Sequence, residues 1–241
     1  MSRIGLCARV IAIAMSIAAC TEERVAVEQE DAQPPVRDIS GLYDVETAYW
    51  YGPKFRSQLR IKPLGVDNRT WQLVDARHPR QNLALQDGDV LGVAYTAQSG
   101  PEEFVNYFGI AIYEMDGTTF RGRWLSSSDP TSVEEEVLSC PKEIIGECIV
   151  LAGDGPGGQA TAQRRVTIKP SHAGYWVTWS GTESKDRIFG IGFARDGKLV
   201  VAFGRDIFPA VEACRIRDAA LECTSSAGDF RNVDRASLTR R

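Results

Sequence analysis

The chain states one pattern twice. SQLRIKP from Ser57 to Pro63 matches RRVTIKP from Arg164 to Pro170, and the turn signal Asp87-Gly88 matches Asp196-Gly197. Near their ends, Asp129, Val133, Glu134 and Leu138 stand 100 residues ahead of Asp229, Val233, Asp234 and Leu238. At their starts, ISGLYDV from Ile39 and IIGECIV from Ile144 set Gly41 opposite Gly146. Offsets of 105, 107, 109 and 100 along the chain mark small insertions and deletions in loops. Self-similarity at such a spacing means two copies of one folding unit, and it limits the possible folds more than any single motif does. The copies span residues 39–139 and 144–241.

Within each copy the apolar period is two, the period of a strand with one face turned inward. In RIFGIGFARDGKLVVAFG, Phe189, Ile191 and Phe193 share one face of a strand, and Leu199, Val201 and Phe203 share a face of the strand that returns. The Asp-Gly between them signals a hairpin, because a type I′ turn needs positive φ at both central residues. NLALQDGDVLGVAY repeats the design, with Leu83 and Leu85 on the outgoing strand and Leu91, Val93 and Tyr95 on the return strand. IAIYEMDGTTFRGRW turns at Asp116-Gly117, with Phe120 and Trp124 on one face and Arg121 and Arg123 on the other.

Strands are expected in copy one near 41–46, 56–62, 70–75, 81–86, 90–95, 107–115, 118–125 and 133–138, about eight in a row. No long helical period follows residue 20. The fold class is therefore all-β: two tandem copies of a roughly eight-stranded antiparallel meander, barrel or rolled sheet. Closure is favoured because it removes unpaired strand edges. As architecture alone, the strand order resembles loosely the lipocalin and avidin-type barrels.

The first twenty residues, MSRIGLCARVIAIAMSIAAC, place Arg3 and Arg9 ahead of an uncharged run from Val10 to Ala19 that is too short to span a bilayer. A basic start, a short apolar core and small residues before a cut site are the requirements of an export signal. Ile17-Ala18-Ala19-Cys20 resembles the lipobox of bacterial lipoproteins. That resemblance implies a signal peptide over residues 1–19, acylation of Cys20 (palmitate among the acyl groups) and a membrane anchor. Thr21, where an Asp would mark inner-membrane retention, implies the outer membrane, with the chain facing the periplasm or the cell surface. Residues 20–38 carry six acids against two arginines and the pair Pro34-Pro35, the composition of a solvated tether.

Of six cysteines, Cys7 leaves with the signal and Cys20 takes lipid, so Cys140, Cys148, Cys214 and Cys223 remain. An even number in an exported chain predicts two disulfides. If residues 217–220 form a turn, Ile216 faces Leu221 and Cys214 faces Cys223 at a bridgeable separation. Cys140 then pairs with Cys148 by elimination. Zinc is not expected, because CPKEIIGEC lacks close-pair spacing and has no neighbouring His.

Residues that carry catalysis are scarce. His78 and His172 fall in loops that do not correspond between copies, and no HExxH, GxSxG, SxxK or Walker sequence occurs. GDGPGG, Gly153 to Gly158, lacks the Lys and Ser/Thr of a phosphate loop and is read as a hairpin connection. Asp87 and Asp89 lack the later ligands of a calcium loop. Glu134, Glu135 and Glu136 are read as a solvated face. Trp71, Trp124, Trp176 and Trp179 are expected in the core, whereas Tyr49, Trp50 and Tyr51 sit in a loop where three consecutive aromatics cannot all face inward. They form the candidate contact site.

Charge separates the copies. Residues 39–139 hold 9 Lys+Arg against 14 Asp+Glu, and residues 144–241 hold 14 against 11. With a net charge of −4 overall, nucleic-acid binding is not expected. Arg164, Arg165, Arg215, Arg217, Arg231 and Arg235 could make a basic face for an anionic envelope partner, or copy two could pack against copy one. No catalytic residue, cofactor or metal is expected. The expected role is a lipid-anchored, non-enzymatic envelope binding or scaffold module. An inhibitor of a lysozyme- or protease-type hydrolase and a carrier of a small hydrophobic ligand are the other two readings.

Overall fold

A computed structural model describes residues 36–48, 54–66, 68–75, 81–96, 107–141, 144–153, 155–156, 164–181, 187–207, 209–226, 230 and 232–241. Repeat one supplies β1 (Gly41–Ala48), β2 (Phe55–Pro63), β3 (Thr70–Asp75), β4 (Asn82–Asp87), β5 (Val90–Tyr95), β6 (Phe108–Asp116), β7 (Thr119–Ser126) and β8 (Asp129–Ser139). Repeat two supplies β9 (Gly146–Gly153), β10 (Arg165–Ser171), β11 (Gly174–Ser180), β12 (Ile188–Arg195), β13 (Lys198–Gly204), β14 (Ala210–Arg217), β15 (Ala220–Ser226) and β16 (Asp234–Arg240). The strands close into two antiparallel barrels of eight, so the all-β, two-barrel expectation holds.

The barrels do not follow the boundary between the repeats. Barrel I runs β1-β2-β3-β4-β5-β14-β15-β16 and barrel II runs β6-β7-β8-β9-β10-β11-β12-β13. Each repeat lends its last three strands to the other's first five. Leu91 of β5 therefore pairs with Cys214 of β14, and Leu199 of β13 pairs with Tyr113 of β6. A meander closed within each copy would have paired β5 with β6. The physical reason for the exchange lies in the strands beside the crossing. All six residues of β4 are buried, and so are five of the six in β5 and six of the seven in β13. Their second apolar faces meet between the barrels, where Leu83, Leu85, Ala94 and Val211 of barrel I pack with Ile110, Leu125, Phe193 and Val200 of barrel II. In two separate barrels those faces would lie in water.

Register also moves the turn of the first Asp-Gly hairpin by one residue. In β4–β5 the two-residue loop is Gly88-Asp89, so Leu83 faces Ala94 and Leu85 faces Gly92. Leu91 and Val93 point the other way, into barrel I, and Leu83 and Leu85 point between the barrels. The loop of β12–β13 is Asp196-Gly197, with φ of 50° and 77°, whereas in the first hairpin Gly88 alone has positive φ, 59°. Structural equivalence is therefore Gly88 with Asp196, one residue away from the match of Asp-Gly to Asp-Gly, and a slip of one exchanges the faces of a strand.

Both disulfides join the expected pairs, and both lie in barrel interiors: Cys214–Cys223 across β14–β15 in barrel I, and Cys140–Cys148 in barrel II. Ile216 faces Leu221, as the predicted turn requires. Ion pairs also cross between the barrels. Asp87 of β4, almost wholly buried, is held by Arg123 of β7 at 2.5 Å and by Lys198 of β13, and Arg215 of β14 donates to Asp196 at 2.6 Å.

Candidate functional site

Registers show which residues occupy the same place in the two barrels. Leu91, Val93 and Tyr95 correspond to Leu199, Val201 and Phe203, counted from their hairpin loops. Ile61 faces Leu73 and Ile168 faces Val177, so Asp75 corresponds to Trp179. Cys214 faces Cys223 and Tyr113 faces Gly122, so Ser225 corresponds to Trp124.

These equivalent positions are filled differently. In barrel II, Trp179 and Trp124 lie edge-on to Phe203, with ring centroids 5.7 and 6.1 Å away, and Tyr107 adds a third ring at 6.1 Å. Together they plug that end of the interior. Barrel I has Asp75, Ser225 and Tyr95 in the places of Trp179, Trp124 and Phe203, and there a cup of about 500 Å³ opens.

The backbone widens the cup. β3 and β4 pair at only two positions, Thr70 with Leu85 and Trp71 with Ala84, whereas the equivalent β11 and β12 pair at five. Asn82 bridges the parted strands. Its Nδ2 donates to the Leu73 carbonyl at 2.6 Å, and its Oδ1 accepts from the Leu73 N–H at 2.8 Å, so both backbone groups of Leu73 stay satisfied without the ladder.

Val45, Leu59, Leu73 and Leu238 give the cup its apolar wall, and Ser57, Asn82, Tyr95, Asp75, Glu212 and Asp234 add polar groups. Glu212 is nearly buried, and the Tyr95 hydroxyl donates to its Oε2 at 2.5 Å. Burial raises the Glu212 pKa above the ordinary glutamate value, and the Tyr95 hydrogen bond works against that rise. The carboxylate lies within 4.8 Å of the sulfurs of Cys214 and Cys223. Those sulfurs are bonded to each other, so they offer no thiolates to a metal. Oδ1 of Asp234 is buried with no hydrogen-bond partner among the described residues.

Barrel II carries a second buried carboxylate, Glu136, which corrects the reading of 134–136 as a solvated face. Glu134 and Glu135 are exposed, but Glu136 is 1% exposed and accepts from the Tyr113 hydroxyl and from Trp179 Nε1 at 3.2 Å. Burial raises its pKa, against the two hydrogen bonds and the nearby Arg164. Arg164 in turn donates to the carbonyls of Gly155, at 2.9 Å, and Pro156. The residues that close barrel II are thus bound to one another.

Tyr49, Trp50 and Tyr51 fall in the β1–β2 connection, outside the described residues. Thr47 and Phe55 on either side of that connection line the cup. Cys20 and His78 also lie outside the described residues. His172 is exposed in the β10–β11 turn with φ of 36°. Of the arginines of repeat two named above, Arg164 is buried, Arg165 pairs with Glu147, Arg215 with Asp196, and Arg217 with Glu222 at 3.5 Å, while Arg235 is exposed beside Arg195 and Lys54. Arg231 lies outside the described residues.

The sequence reading missed Asp75, Asn82, Tyr95, Glu212 and Asp234 as a group. Polar residues at inward-facing positions were the signal available for them. Comparison with protein-family models, with curated proteins and with solved structures finds no match to this chain.

Proposed function

We propose that the chain is a non-enzymatic binding protein of the bacterial outer-membrane envelope, anchored through lipid on Cys20, that holds a small amphipathic molecule in the cup of barrel I. Barrel II acts as its structural counterpart. One observation carries this reading: the same architecture is filled twice, and where barrel II has Trp179 and Trp124, barrel I has Asp75 and Ser225 beside a cup of about 500 Å³. A buried Trp contributes on the order of 3–5 kcal/mol, judged from Trp→Ala losses. A barrel under demand for stability alone therefore has reason to keep the aromatic plug that its twin has. A concave site of a few hundred Å³ with apolar walls and a few convergent polar groups is the usual form of a small-ligand pocket. The anchor rests on Ile17-Ala18-Ala19-Cys20, and several acyl chains would hold the domain at a membrane through the acidic tether.

The test fills the cup with the residue barrel II uses. N-phenyl-1-naphthylamine, a neutral probe that brightens in apolar sites, should titrate the full chain with one saturable site. Ser225→Trp should weaken that site at least about tenfold, a change of about 1.4 kcal/mol, while far-ultraviolet circular dichroism stays that of the wild type. Absence of saturable binding, or binding unchanged by Ser225→Trp, would rule the cup out. For the anchor, radiolabelled palmitate should enter the wild-type chain in a Gram-negative host and not the Cys20→Ser variant.

A further inference from the structure

We infer that the ligand of the barrel I cup carries a positively charged amine on an apolar body; this rests on the cup being the binding site. The wall combines a hydrocarbon surface from Leu59, Leu73 and Leu238 with the carboxyl groups of Asp75, Glu212 and Asp234. No Lys, Arg or His lines it among the described residues. An anionic molecule such as a fatty acid or a phosphate ester would bring a second negative charge into a confined, weakly solvated space. Like charges there repel more strongly than in water. A neutral apolar molecule would leave Asp234 Oδ1 without a hydrogen-bond donor among the described residues, and a buried, unpaired polar group is costly.

A protonated amine resolves both problems. It offers three donors, and the wall offers acceptors that the protein leaves available. The Asp234 Oδ1 atom is buried without a partner among the described residues, and the one hydrogen bond recorded for Glu212 is to its Oε2. Hydrogen bonds to an ionised partner are roughly twice as strong as neutral ones. Barrel II differs in holding a cation beside its buried acid. There Glu136 accepts at Oε1 from Tyr113 and Trp179 and has Arg164 nearby, and its Oε2 is left without a hydrogen-bond partner among the described residues. Among the described residues no such cation acts on Glu212; burial raises its pKa, and the opposing contribution is the Tyr95 hydroxyl.

Decylamine, decanol and decanoate share one alkyl body and differ in charge, so each is used at pH 7 to displace N-phenyl-1-naphthylamine from the full chain. Decylamine should displace the probe at a concentration about tenfold lower than decanol, the size of one charge-assisted hydrogen bond, and decanoate should be the weakest. In the double variant Glu212→Gln/Asp234→Asn the ratio of decylamine to decanol affinity should collapse toward one. Probe binding that shows no advantage for decylamine, or an advantage that survives in the double variant, would overturn the amine assignment and leave the cup standing. If the probe itself finds no saturable site, the reading of the cup fails first and the amine assignment falls with it.

Discussion

Two glutamates buried in barrel walls should mark the stability of the whole chain with pH. Glu136 and Glu212 both have pKa values raised above the ordinary value of 4.5 by burial. Between 4.5 and the raised values, the folded chain holds protons that the unfolded chain has released. Stability should therefore fall as pH rises through that window, the reverse of a carboxylate held by a salt bridge. Urea midpoints measured in steps from pH 4.5 to 8 should show this decline in the wild type and a flatter profile in Glu136→Gln/Glu212→Gln. Parallel profiles would show that neither group titrates as its burial implies. Trp179 acts on the same neighbourhood, since its ring packs on Phe203 and its Nε1 donates to Glu136. Trp179→Ala should cost about 3–5 kcal/mol of unfolding free energy by denaturant titration, and a loss below about 1 kcal/mol would contradict the plug. Glu136 was legible in part: it shares strand parity with the inward-facing Leu138 and Cys140, but three adjacent glutamates also fit a solvated edge.

Strand pairing explains why some local readings succeeded and others slipped by one residue. Cys214 and Cys223 were readable from sequence because a two-residue turn between Arg217 and Ala220 leaves one register for the hairpin. The loop-entropy argument assigns about 2.5 kcal/mol to a crosslink of this span. Cys214→Ala/Cys223→Ala should lose that much in a denaturant melt, and an unchanged midpoint would mean that the hairpin already confines the unfolded chain. The β4–β5 hairpin misled because its Gly comes first in the loop and the Asp-Gly of β12–β13 does not. Nothing in the dipeptide alone separates the two. Gly92 on β5 has a tertiary cause: a Cβ there would stand 2.7 Å from Val200 Cγ1 and 3.0 Å from Ile110 Cγ1, across the boundary between barrels. Gly92→Val should destabilise by about 1–3 kcal/mol through overpacking, read as a lower urea midpoint at unchanged slope.

Strand exchange makes the two repeats one object at the scale of the molecule. β1 pairs with β16, from opposite ends of the chain, and barrel I cannot close until β14 to β16 arrive from the second repeat. Pairings of such large sequence separation predict slow folding. They also predict complementation. Residues 36–141 and 144–241, produced separately, should combine into a 1:1 complex with one cooperative melt, because the apolar faces of β4, β5, β12 and β13 are buried only when both are present. Two monomeric barrels that ignore each other in analytical ultracentrifugation would show that each repeat can close on itself and that the exchange is not required. The asymmetry of filling also belongs to this scale, since a cup opens in barrel I where aromatic rings pack in barrel II, although the same two repeats build both.

What the sequence by itself determined is local. Period-two alternation located the strands, glycines and aspartates located the turns to within a residue, and hairpin register set Cys214 opposite Cys223, because each rests on residues within one hairpin; Cys140 with Cys148 followed only by elimination. The strand exchange was hidden because duplication makes β6 and β14 alike, so either could complete the edge of β5. Only the burial of second faces between the barrels distinguishes them. The cup was hidden for a related reason. Asp75, Tyr95 and Ser225 meet only on barrel closure, and the space they leave depends on side chains supplied by separate strands, which no local pattern records.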